Sequence, residues 1–189
     1  MATKKFATHP TQTVYQVKIT LKGIRPPIWR RVQVLSSTTL QQLHLIVQEA
    51  MGWDNYHMHS WTIAGIDYGQ SQPDFNVRSE NAIKLNQVVQ GEKFKFSYVY
   101  DFGDSWEHEL LVEKELPCST DTKYPVCITG KRACPPEDCG GSWGYAELLE
   151  IIADTSHPEY EERMEWVGES FNPDVFDVNQ VNKMLQDLQ

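Results

Sequence analysis

The four cysteines of this chain, Cys118, Cys127, Cys134 and Cys139, fall within 22 of its 189 residues. Sulfur gathered in this way serves one of three ends: a tetrahedral zinc site, a disulfide, or reduced thiols packed beneath a loop. The spacing is C-x8-C-x6-C-x4-C, without a paired C-x2-C knuckle. Zinc takes four nitrogen or sulfur ligands. The expected set is therefore Cys127, Cys134, Cys139 and His108, with Cys118 or His59 as alternatives. Pro135 and Pro136 stiffen the loop between two of these thiols. The residues alone leave all three readings open.

A second group is acidic. Asp101, Asp104, Glu107, Glu137 and Asp138, with His108 nearby in sequence, have the donor types that hold Mg²⁺ or Mn²⁺ for hydrolysis of a phosphodiester. The structural alternative is turn formation. Short carboxylates beside Gly103 accept backbone hydrogen bonds in tight turns, and Glu137 and Asp138 can order the Pro-Pro loop in the same way. Gly140, Gly141 and Ser142 open a helix. They offer backbone N–H groups to an anion, but no Walker lysine is present and the neighbouring carboxylates repel phosphate. His57 and His59 form an H-x-H pair placed, with Trp61 and Ile63, on one face of an expected strand. No Walker motif, dinucleotide fingerprint or H-E-x-x-H helix occurs.

Charge is divided along the chain. Residues 1–90 carry nine Lys and Arg against five Asp and Glu, while residues 91–189 carry eight against 21. A basic N-terminal edge with Arg25, Arg30 and Arg31 is the expected contact for nucleic acid, if it does not pack beside the acidic half of its own chain. Tyr15, Trp29, Trp53, Trp61, Phe94, Phe96, Tyr98, Tyr100 and Trp106 could stack bases on an exposed sheet. Their alternation with polar residues assigns them to a buried core instead.

IRPPIWRRVQV (24–34), GWDNYHMHSW (52–61), YVYDFGDSWEHEL (98–110) and YPVCITGKRACPPEDCGGSWGY (124–145) together resemble the plasmid pRiA4b ORF-3-like family over roughly residues 14–185. The resemblance implies a compact α+β fold and relatives in bacteria and archaea, often near plasmid or transposon genes. It implies no activity common to the family.

The elements that position these groups follow from periodicity. Period-two alternation predicts strands at 14–21, 28–34, 94–100 and 106–116, and a hairpin at 59–69. The strand at 106–116 puts Trp106, His108, Leu110 and Val112 on one face. Leu40, Leu43, Val47 and Ala50 form a helical face capped by Thr38 or Thr39 and ended by Gly52. AIKLNQVV (82–89) is expected to form a short helical turn, and 70–82 and 117–141 to be irregular. Three helices follow: one capped by Ser142, one from Pro158 to Gly168, and one capped by Asp177 with Gln180 placed for a capping box.

The expected fold is α+β, with an antiparallel or mixed sheet covered by helices, a β-grasp-like N-terminal element order and a helical C-terminal part. Residues 1–13 are expected to be a disordered leader and 14–189 a single domain. The composition, 40% hydrophobic and 23% charged, is globular. No apolar run is long enough for a membrane helix, and the N-terminus lacks the apolar core of a secretory signal; a cytoplasmic protein is expected. The function expected is that of a non-catalytic binding or accessory domain associated with mobile elements, contacting nucleic acid or another protein. The alternatives are a metal-dependent, nuclease-like hydrolase using Asp101, Asp104, His108, Glu137 and Asp138, and a pure protein-interaction adaptor. Zinc is the expected cofactor if there is one. The thiol-rich segment and the DFGDS tip are expected to meet in space.

Overall fold

Strand alternation builds the centre of the molecule. A computed structural model describes residues 12–70 and 77–188. Its eight strands are β1 (Thr13–Leu21), β2 (Trp29–Leu35), β3 (His59–Ile63), β4 (Ile66–Gly69), β5 (Arg78–Ser79), β6 (Lys95–Tyr100), β7 (Trp106–Pro117) and β8 (Val126–Lys131). They form one open sheet in the order β5-β4-β3-β6-β7-β1-β2-β8. Every pairing is antiparallel except β4 with β5. One face carries Val17, Ile19, Val32, Trp61, Phe96, Tyr98, Tyr100, Trp106, Leu110 and Val112, all buried. The opposite positions, such as Lys18, Lys95, Glu107 and Glu109, remain at least partly exposed. This is the period-two pattern expected when one face of an antiparallel sheet meets the core.

The five helices are α1 (Leu40–Met51), α2 (Leu85–Val88), α3 (Gly141–Ala153), α4 (Tyr160–Val167) and α5 (Val178–Gln186). Thr39 caps α1 with a full capping box to Gln42, and Gly52 ends it at φ +90°. Asp177 caps α5 by accepting from the N–H groups of Asn179 and Gln180. Packing of α1 against α5, and of α5 against β8, covers that end of the sheet. No described helix is long and apolar enough to cross a membrane.

The structure alters several expectations. Residues 126–131 are not irregular; they form an edge strand on β2, supported from α5 by Asn182, which bonds both the N–H and the carbonyl of Cys127. Helix α3 is capped by Gly140 rather than Ser142, and α4 begins at Tyr160, after Pro158. His57 lies ahead of β3, not on it. The element order β1-β2-α1-β3-β4 stands as expected, but the sheet inserts β6 and β7 between its two hairpins. The expected leader falls almost wholly outside the described residues, and Thr13 already belongs to β1.

A candidate site at the junction of three loops

Three loops converge beyond the ends of β3, β6 and α3: residues 53–58, the β6–β7 tip at 101–105, and the segment 133–143 that leads into α3. Trp53 and Tyr100 stack with ring centroids 5.0 Å apart, and the indole Nε1 of Trp53 donates to the Pro135 carbonyl at 3.0 Å. Glu137 ties the loops together. One carboxylate oxygen accepts from the Asp54 N–H at 3.1 Å, and the other takes a short hydrogen bond from the Tyr100 hydroxyl. The same hydroxyl accepts from the Tyr56 and His57 N–H groups at 3.0 and 3.3 Å. Burial and the Glu137 carboxylate together hold the Tyr100 phenol above its ordinary range. Asp104 Oδ2 accepts from Gly140 N–H at 3.1 Å, and a Cβ on Gly141 would stand 2.6 Å from the Asp104 carbonyl oxygen. The close approach of backbone to backbone explains the paired glycines better than an anion site does.

The side chains brought together at this junction are His57, Asp101 and Asp138. His57 Nδ1 lies 3.7 Å from Asp101 Oδ1, and Nε2 lies 3.2 Å from Asp138 Oδ1. Asp101 Oδ1 also accepts from Gly103 N–H at 2.8 Å, the turn role expected of it. Of the five residues in the hydrolase reading, Asp101 and Asp138 share this group. Asp104 and Glu137 sit in the same loops, holding backbone N–H groups. His108 is elsewhere, fully buried on the core face of β7 against Trp53 and Tyr98. Burial lowers its pKa to about 4.

No three of the thiols meet closely enough to share an ion among the described residues. Among the described residues, the one His, Cys, Asp and Glu group close enough to share an ion is His57, Asp101 and Asp138. A zinc centre from Cys127, Cys134, Cys139 and His108 is thus not assembled, and neither Cys118 nor His59 completes one. Cys127 lies on β8, its thiol raised by burial. Cys118 follows β7 and is part-exposed, and all four cysteines are free. Burial pushes the Cys134 and Cys139 thiols up to about 12, with Asp104 adding to the effect at Cys139. Such thiols are poor nucleophiles.

His59 has a structural setting. It donates from Nε2 to the Glu80 carboxylate at 2.9 Å, while Trp61 Nε1 donates to the same group at 2.9 Å. Its ring stacks on His44 at 3.5 Å, and His44 hydrogen-bonds Tyr98 and Asn55. Burial, with the His59 ring beside it, lowers His44 to about 4. Burial alone would raise Glu80, but the hydrogen bonds from His59 and Trp61 prevail and hold it below the ordinary carboxylate range.

The basic edge is largely engaged within the molecule. Arg30 is only 2% exposed; it donates to the carbonyls of Ala50, Trp29 and Lys131 and lies over the Phe176 ring. Arg31 is bidentate to Glu113. Of the three arginines, Arg25 alone is exposed.

The sequence profile of the family described as plasmid pRiA4b ORF-3-like protein matches residues 13–180. The chain belongs to this family. A relative from Sinorhizobium fredii (strain NBRC 101917 / NGR234), the uncharacterized protein y4hQ, is 36% identical over 180 residues, spanning 93% of this chain and 92% of the relative. A solved structure, the protein of unknown function MM3350 from Methanosarcina mazei Go1, superposes with a TM-score of 0.81 at 38% identity, covering 89% of this chain and 97% of that one. The solved structure shares this α+β architecture, and neither name states an activity.

Sequence reasoning missed His57 as the member of the H-x-H pair that meets the carboxylates. It also missed Glu80 and His44. Glu80 sits beside a polar stretch with no periodicity, so nothing in the residues marks it as buried. Its partners are joined to it only by the fold.

Proposed function

We propose that this protein is a non-catalytic binding domain that recognises a basic, apolar segment of a partner protein at the three-loop junction. The observation that supports this most strongly is the exposure of Tyr56 (79%), Phe102 (48%) and Trp143 (88%) around a rigidly tied, acidic centre. Tyr56 adjoins His57, and Phe102 adjoins Asp101. Trp143 shares an open cleft of about 520 Å³ with Gly103, Asp104 and Gly140. Large aromatic side chains grouped on a surface mark binding sites, and tryptophan and tyrosine dominate hot spots. Glu107 is paired with Lys22 at 2.9 Å; Asp104, Glu137 and Asp138 give this face a negative field, which favours cationic partners and repels nucleic acid. The engagement of Arg30 and Arg31 within the fold argues in the same direction. The family description names a plasmid, and the setting proposed is that of a cytoplasmic accessory to mobile-element proteins.

Selection from a random-peptide library tests this reading. Enriched peptides are expected to combine Lys or Arg with aromatic residues and to lose about tenfold or more in affinity against Trp143→Ala. Salt-dependent binding to duplex DNA that Trp143→Ala leaves unchanged would contradict it. A second reading, metal-dependent hydrolysis, draws on the meeting of His57, Asp101 and Asp138. Phosphodiester cleavage with Mn²⁺ that is abolished by Asp138→Asn would favour it over the first.

A further inference from the structure

We propose that His57, Asp101 and Asp138 form a binding site for one first-row divalent transition-metal ion. One donor atom from each residue can be chosen so that all three lie within 4.8 Å of one another. Ions of this class bind imidazole and carboxylate at about 2.0–2.2 Å, so a modest adjustment of the three side chains closes the site. Two independent features point to a cation. Asp101 is 7% exposed, yet no Lys or Arg contacts its carboxylate among the described residues. A buried carboxylate without a cationic neighbour is costly, and a bound ion offsets that cost. In addition, His57 Nε2 is shielded from solvent and makes no hydrogen bond, although Asp138 Oδ1 is 3.2 Å away. A ring nitrogen held bare beside a carboxylate is what a metal ligand presents.

The donor set selects the ion. One imidazole with two carboxylates suits Mn²⁺ or Zn²⁺ better than Mg²⁺ or Ca²⁺, which prefer oxygen alone. Three protein ligands leave further coordination positions open. The site does not depend on the peptide-binding reading, because its test reads metal and not partner.

Mn²⁺ is the suitable probe, since it has little affinity for the four free thiols that would compete for zinc. The experiment is paramagnetic broadening of amide signals in the full chain, with affinity measured by Mn²⁺ titration. The expected result is one bound ion per chain, with broadening centred on residues 55–58, 101–104 and 137–139. His57→Ala and Asp138→Asn should each weaken Mn²⁺ by about tenfold or more. Asp138 is 73% exposed at its side chain, so its substitution leaves the fold intact. Broadening spread over the acidic C-terminal half, equal Mn²⁺ affinity in Asp138→Asn, or displacement by Mg²⁺ at equal concentration would each overturn the proposal.

Discussion

The backbone N–H of Gly140 donates to the carboxylate of Asp104 at 3.1 Å, tying the proline-rich loop to the β6–β7 tip across 36 residues of chain. This bond lies where Gly141 passes close to the Asp104 carbonyl and where Cys139 O meets Gly144. The junction is therefore built from backbone contacts that only glycine permits, and its stability should be sensitive to single methyl groups.

Alanine at Gly141 or Gly144 tests that sensitivity. A Cβ at Gly141 would lie 2.6 Å from Asp104 O, and one at Gly144 would overlap Cys139 O. Each substitution should destabilise the protein by about 2 kcal/mol or more in denaturant unfolding. Gly52, in the left-handed region at φ +90° and ψ 34°, has nothing within 4 Å of its Cβ position. Gly52→Ala should cost only the conformational strain, about 1 kcal/mol.

The buried histidines predict an acid limb. His108 and His44 have folded pKa values of about 4, below the ordinary 6.5. In the unfolded chain they take up protons that the folded protein refuses. Their contribution is thus complete above pH 6.5 and is lost as pH falls from 6.5 toward 4, on the order of 3 kcal/mol for each group. Glu80, held below its ordinary value, adds a further loss at the lower end of that window. Unfolding free energy measured against pH should show this slope, and His108→Phe should flatten it. An unchanged slope in that variant would assign the acid limb to other groups.

Glu80→Ala should cost about 3–5 kcal/mol, because it leaves both His59 and the Trp61 indole N–H unpartnered in the core. Chemical denaturation of Glu80→Ala beside Glu109→Ala provides the comparison. Glu109 pairs with Lys95 on the exposed face, and its removal should cost less than about 1 kcal/mol.

Arg30→Lys should destabilise the fold, because an ammonium cannot reproduce the guanidinium's bonds to the Ala50, Trp29 and Lys131 carbonyls. Arg25→Ala should leave thermal stability within about 0.5 kcal/mol of wild type. Equal stability of the two variants would mean that Arg30 is not the buried tie between β2, α1 and β8.

The fold was legible wherever burial followed a period. The FKFSYVY and WEHELLVEKEL strands and the Leu40–Ala50 helical face read correctly, because one side of each element meets the core. The same alternation that identifies β7 also places His108 beside Leu110 and Val112, facing inward. Its inclusion with the surface carboxylates was therefore at odds with the strand pattern. Edge strand β8 was hidden because Cys127, Gly130 and the surrounding prolines interrupt alternation, and its pairing is supplied by β2 and α5. Arg30 occupies a core position that sequence reads as exposed charge; only three carbonyls from separate elements make its burial favourable. The meeting of the DFGDS tip with the CPPEDCGG loop was readable in outline. Which histidine completes the group depended on long-range topology.

Native-state hydrogen exchange tests most directly whether the three loops form one preorganised surface. The amides of Asp54, His57, Gly103 and Gly140 should exchange slowly in the wild-type protein, and Asp104→Ala should release Gly140 first while β6 and β7 stay protected. Exchange of these four amides at the rate of open loops, with no difference between wild type and Asp104→Ala, would contradict the account.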